Sequence, residues 1–215
     1  MLYEGISAPA ELPKQEASFD LPIGIGILAG SGQLQSDLFD QYAVVGELAL
    51  DGSTRTIKGV LSMAMAVAAA KKLRGIIVPS ANSAEAAVVE GIDVIPVDSF
   101  SQTVAFLSGE LDIEPVPSRL DELFHELSHY DVDFAQEMAK RAVTIAAAGG
   151  HNLLMIGPPG SGKTMLAKRM PTILPMLSAE ESIETTRIYS ATGRLPAGQP
   201  LLAKRPFRAP HHTIS

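Results

Sequence analysis

The segment Gly157-Pro158-Pro159-Gly160-Ser161-Gly162-Lys163-Thr164 constrains this chain more than any other, because it meets the spacing G-x-x-x-x-G-K-[ST] at every fixed position. Glycines at those points let the backbone curl until successive N–H groups point inward, and such a concave row of amides beside a lysine suits a phosphate group. The motif needs a strand before it and a helix after it. The apolar run His151-Asn152-Leu153-Leu154-Met155-Ile156 reads as a buried strand, and Met165 to Met170 reads as a helix. The residues therefore imply ATP or GTP, with Lys163 reaching the β- and γ-phosphates and the Thr164 hydroxyl on Mg2+. The eight loop residues and Met165 are the candidate nucleotide-binding set, and Thr164 is the candidate metal ligand.

Composition bounds what surrounds this loop. The chain has 215 residues, of which 46% are hydrophobic, and a mean hydropathy of +0.18, enough for one large or two small domains with buried cores. There is no cysteine, which excludes a disulfide scaffold and a thiolate metal site and fits a reducing cytoplasm. Met1 to Gly5 lacks the basic start of a signal peptide, and the longest apolar run, Met63 to Ala70, is too short to span a bilayer. A cytoplasmic protein with no membrane partner is expected. Charge is uneven: residues 1–130 hold 7 Lys+Arg against 18 Asp+Glu, a net −11, whereas residues 131–215 hold 10 against 6, a net +4. A basic nucleotide-binding half suits a nucleic-acid partner, although phosphate binding alone also accounts for it.

Taken in order, the chain alternates helix and strand signals. Pro22 suits the first turn of a short apolar helix after Asp20. Val44 to Leu50, the turn Asp51-Gly52-Ser53 and Thr54 to Ile57 read as a hairpin. An Ala-rich helix follows from Leu61 to Leu73, closed by Lys71, Lys72, Arg74 and Gly75. Gly75 to Pro79 and Asp93 to Val97 read as strands around a helix from Ser83 to Glu90 ended by Gly91. Ser99 to Gln102 has capping-box spacing for a helix reaching Leu107. This is an α/β pattern with some parallel pairing. Residues 111–119, broken by Pro115 and Pro117, read as a linker between a domain at 1–110 and one at 120–215. Beyond it, Asp133 and Gln136 form a capping box for a helix from Phe134 to Ala148, and Ser178 to Glu181 cap another.

The passage Ala147 to Ala167, the tail Arg205-Pro206-Phe207-Arg208-Ala209-Pro210-His211-His212, and Leu12-Pro13-Lys14 with Phe19 to Ile23 together resemble the magnesium-chelatase-like AAA+ proteins of the YifB/ComM group. With three motifs in the correct order, the resemblance covers nearly the whole chain. The resemblance implies a Lon-protease-like α+β domain of ribosomal-S5 type, followed by the start of a P-loop AAA+ α/β domain that binds ATP and Mg2+. For the full-length protein it implies a homo-hexameric, ATP-driven DNA helicase promoting branch migration in natural transformation. It also places Gln136 where relatives carry a residue near the adenine, beside its reading as a helix cap.

The departures are as informative. Ile23 stands at the nucleophilic Ser position of a Lon-type protease and Leu61 at that of its lysine base, so a Ser–Lys mechanism is unavailable and no catalytic residue is assigned. Lys58 reads as a solvated turn residue. No apolar run ending in Asp-Glu follows Lys163 before Ser215, so the chain reads as a fragment truncated at both ends that lacks Walker B and an arginine finger. It is expected to bind ATP and hydrolyse it poorly. Rival readings are a metal-chelatase ATPase subunit, which the Lon-like domain speaks against, and a non-enzymatic nucleotide-binding remnant. His151 is expected to pack against a sheet edge, and His211 and His212 to serve a loop or subunit contact. Lys168, Arg169, Lys204, Arg205 and Arg208 are candidates either for DNA phosphates or for a solvated face.

Overall fold

The computed structural model describes residues 19–118, 120, 122, 137–196 and 198–209, with side chains of 137–140 excepted. The chain divides into two compact units, Met1–Ser118 with Ser190–Gly193, and Arg119–Tyr189 with Arg194–Ser215. The first unit runs α1 (Asp20–Gly30), β1 (Tyr42–Val44), β2 (Glu47–Leu48), β3 (Thr54–Arg55), α2 (Val60–Ala70), β4 (Gly75–Pro79), α3 (Ser80–Ala86), β5 (Asp93–Val97) and α4 (Phe100–Leu107). Among the described residues no helix is long and apolar enough to cross a membrane.

The strand β4 explains the architecture of this unit. All five of its residues are buried, which requires cover on both faces of the sheet. Ile76 and Val78 face one cluster, with Val60, Ala64 and Val67 of α2 and Ala86 of α3. Ile77 faces the opposite cluster, with Leu21 and Ile25 of α1 and Phe106 and Leu107 of α4. The alternation follows from the two-residue period of a strand, and each fully buried Ile or Val contributes about 1.5–3 kcal/mol relative to exposure. The sheet has the order β1-β4-β5 and both pairings are parallel, with Ala43 beside Ile76 and Ile77 beside Ile95. The mixed α/β fold expected from the sequence is therefore present.

Local expectations were met unevenly. The hairpin is shorter than the pattern suggests: Glu47 pairs with Arg55 and Leu48 with Thr54 across a turn in which Asp51 Oδ1 accepts from the Ser53 amide at 2.9 Å. Val44 instead belongs to β1, because its apolar side chain is of more use against the parallel sheet than in an outlying ribbon. The Ala-rich helix stops at Ala70, with Lys71 taking the left-handed conformation at φ 52. Gly75 is not its stop. Gly75 opens β4, where a Cβ would run into the Asp93 carbonyl of β5. Helix α3 leaves directly from β4 at Ser80 and ends at Ala86, earlier at both ends than the Ser83 to Glu90 pattern. At α4, Ser99 Oγ accepts from the Gln102 amide at 3.2 Å, and Gln102 Oε1 accepts from the Asp98 amide at 2.7 Å, one residue beyond the usual box partner. The Pro-rich stretch is not free of the unit before it, since the Val116 amide donates to the Val94 carbonyl at 2.9 Å.

One titratable group in this unit is placed against its preference. Burial raises the Glu85 carboxyl above its ordinary value of 4.5, offset in part by hydrogen bonds such as that from the Leu61 amide at 3.3 Å. The folded form binds the proton more tightly than the unfolded chain, so this group's effect is most favourable below 4.5 and is lost as pH rises through the raised folded value. Glu85→Gln should therefore leave the urea midpoint of the first unit nearly unchanged at low pH and raise it at neutral pH. A difference between the two proteins that does not vary with pH would contradict this.

Candidate functional site

Among its described residues the second unit is helical, with α5 (Glu137–Gly149), α6 (Lys163–Arg169) passing into a 3-10 turn at Met170–Ile173, and α7 (Ala179–Ala191), of which Ser190 and Ala191 fall in the first unit. Helix α5 buries Val143 and Ala146 and ends where Gly150 takes φ 63, with the His151 amide donating to the Ala146 carbonyl at 2.8 Å. The chain is then delivered to the glycine-rich loop.

The approach to the loop differs from the buried strand expected of 151–156. No β-strand is present among the described residues of this unit, and Leu154 and Ile156 are 82% and 87% exposed. An apolar run says that a segment suits a sheet interior, but it does not supply the neighbours that make it a strand. His151 likewise meets no sheet edge: it is exposed, with its ring over Gly149 at the end of α5.

The loop itself has the curled backbone its composition predicts. Gly160 and Gly162 take φ 79 and φ 83, left-handed conformations that residues with a Cβ rarely adopt. Gly162 is the residue before α6, and the Leu166 amide donates back to its carbonyl at 3.0 Å. The Ser161 amide faces the Pro158 carbonyl at 3.4 Å, closing the turn. Lys163 folds over this turn. Its Nζ donates to the Gly157 carbonyl at 2.7 Å, to the Pro158 carbonyl at 2.7 Å and to Ser161 Oγ at 2.9 Å. Thr164 and Met165 are exposed on the first turn of α6, so the hydroxyl of Thr164 is open to a ligand. Among the described residues no group of three or more His, Asp or Glu could hold a metal ion, so a cation here would take Thr164 and oxygens of a bound phosphate, an arrangement that suits Mg2+.

The chain beyond α6 is held by contacts that its local sequence patterns did not suggest in full. At the start of α7, Ser178 Oγ accepts from the Glu181 amide at 3.1 Å while Glu181 Oε2 accepts from the Ser178 amide at 2.9 Å, the reciprocal box expected there. The same carboxylate lies 3.3 Å from the Arg205 guanidinium, whose Nε donates to the Pro175 carbonyl at 2.7 Å. Arg205 thus has a structural role beyond the two foreseen. Ser182 and Thr186, one turn apart on α7, are fully buried. Ser182 Oγ donates to the Leu202 carbonyl at 2.6 Å, and the Leu202 amide donates to Thr186 Oγ1 at 2.8 Å. These bonds hold the buried segment Leu201, Leu202 and Ala203 ahead of the basic tail. A hydroxyl pair four residues apart, on the face where an apolar stripe is usual, was the available signal.

The first unit holds the three positions weighed against a Lon-type Ser–Lys pair. Leu61 is fully buried in α2, Ile23 is 54% exposed on α1, and Lys58 is exposed. Gln136, Leu12 to Lys14, Pro210, His211 and His212 lie outside the described residues. Lys168, Lys204 and Arg208 are exposed, and Arg169 is half-buried.

Comparison with known proteins bears on both units. Residues 131–215 match the model of the family described as magnesium chelatase, subunit ChlI, and residues 7–82 match that described as subunit ChlI of Mg-chelatase. The chain is 44% identical over 209 residues to the uncharacterized protein YifB of Escherichia coli K12, and 41% identical over 213 residues to the competence protein ComM of Haemophilus influenzae. Each alignment takes in 97% of this chain. The chain belongs to the YifB/ComM family. It spans 40% and 41% of the length of these two relatives. Within this family member, the loop and the hydroxyl-tied tail segment share the second unit, and the sheet described here lies in the first.

The anchoring of Leu202 is open to test. Thr186→Val keeps the shape of the side chain but leaves the buried Leu202 amide without its acceptor, at a cost of about 1–3 kcal/mol. Hydrogen exchange at residues 201–203 should accelerate by at least about fivefold. Unaltered protection would mean that the segment is held by other contacts.

Proposed function

We propose that this chain carries the nucleotide-phosphate half-site of an ATP-dependent motor of ComM type, and that the full-length protein is a hexamer acting on DNA. The observation that supports the reading most is the loop Gly157–Thr164, with left-handed Gly160 and Gly162 and an exposed Thr164 beside Lys163. In this reading the amides from Gly160 to Thr164 would bind the phosphate oxygens. Lys163 would neutralise charge at the β- and γ-phosphates, and Thr164 would ligate Mg2+. Met165, at the loop's exit, and Gln136 are proposed to flank the nucleotide. The relative named a competence protein motivates the DNA partner, and the +4 charge of residues 131–215 is compatible with it.

Binding and turnover make different demands. Amides, an ammonium and one hydroxyl suffice to hold a nucleotide, whereas hydrolysis also needs a carboxylate to orient water and an arginine to meet charge in the transition state. Among the described residues after Lys163, the acidic side chains are Glu180, Glu181 and Glu184, and Glu181 is engaged in the α7 cap. None follows an apolar strand. The 215-residue chain is therefore proposed to bind Mg·ATP with little turnover, and the full-length protein to hydrolyse it in response to DNA.

A second reading, a chelatase-type ATPase subunit, is favoured by the descriptions of both matching family models. The presence of an N-terminal unit does not separate the readings, since residues 7–82 match a model bearing the same subunit name.

Calorimetry with Mg·ATP tests the site. Lys163→Ala should abolish binding that the parent chain shows, and phosphate release by the parent chain should stay near background. Equal affinity of the two proteins would refute the loop assignment. Stimulation of the full-length ATPase by branched DNA is expected under the motor reading, and indifference to DNA would favour the chelatase-type reading.

A further inference from the structure

Lys163 in this structure is already fully bonded. An ammonium has three N–H donors and no acceptor, and here the carbonyls of Gly157 and Pro158 and the hydroxyl of Ser161 provide three acceptors within 2.7–2.9 Å. A phosphate oxygen can engage this ammonium only where one of the three gives way. The three are not equivalent. The two carbonyls are backbone groups fixed by the path of the loop, whereas the Ser161 oxygen sits on an exposed side chain that moves by rotation about a single bond.

We infer that Ser161 is a latch on Lys163: it holds the ammonium folded over the loop and competes with the incoming phosphate for it. The inference rests on the nucleotide reading of the loop and assigns Ser161 a role distinct from that of its backbone amide. Ser161 is a positioning residue here, acting through Lys163. Its effect on affinity has a definite sign. An acceptor that stabilises the empty loop and is given up on binding weakens the complex, so its removal strengthens binding.

The test compares the 215-residue chain with Ser161→Ala and Ser161→Thr. Ser161→Ala should bind Mg·ATP about fivefold more tightly by calorimetry, the scale of one partly solvated hydrogen bond to a charged group, and Ser161→Thr should return to the parent affinity. Affinity that is unchanged or weaker in Ser161→Ala would overturn the latch. A second measurement needs no nucleotide. The 15N-labelled Nζ resonance of Lys163, identified by its loss in Lys163→Arg, should be protected from exchange with water in the parent chain and in Ser161→Thr. In Ser161→Ala its exchange should accelerate severalfold. Equal exchange in all three proteins would overturn the latch even if Mg·ATP binds. Failure of the parent chain to bind Mg·ATP would instead refute the nucleotide reading, while the exchange data still decided the contact.

Discussion

Two left-handed residues, Gly160 and Gly162, are the constraint on which the second unit's chemistry depends. A side chain at either position would strain the turn, and without the turn Lys163 could not lie back over the Gly157 and Pro158 carbonyls. Among the described residues the loop's curl is accompanied by its own internal hydrogen bonds, from the Ser161 amide and from Lys163 Nζ.

The first unit is governed by a different constraint, the burial of β4 on both faces. Ile76, Ile77 and Val78 leave no side of the strand for water, so helices must cover both sides, and the parallel neighbours β1 and β5 complete the layer. The polar groups within this unit are arranged to suit. Asn82, itself buried, donates to the Ile57 carbonyl at 3.0 Å and accepts from the Ile57 amide at 2.9 Å, satisfying a backbone that enters the core without a strand partner.

Where the sequence spoke through local chemistry it was legible. Both β4 and β5 have the predicted bounds, the caps of α4 and α7 are made by the residues singled out, and the loop glycines take the conformations their spacing requires. What it could not convey were choices decided by distant partners. The run 151–156 carries the composition of a strand, but pairing is not a property of one segment. Gly75 carries the composition of a helix stop, but its lack of a side chain serves the approach of Asp93 across the sheet. The tail Leu201 to Ala203 is held by hydroxyls from Ser182 and Thr186, a partnership separated by sixteen to twenty residues, of which only the four-residue spacing of the two hydroxyls was legible. Arg205, attractive as a phosphate contact by charge alone, braces the α7 cap.

Phosphate is proposed to bind to the backbone amides of the glycine-rich loop. An amide-resolved 1H–15N titration of the 215-residue chain with Mg·ATP tests it most directly. The largest shifts should fall on the amides from Gly160 to Thr164 and saturate together, with the β4 and β5 amides of the first unit unmoved. Saturable shifts centred elsewhere, with the loop amides unaffected, would contradict it.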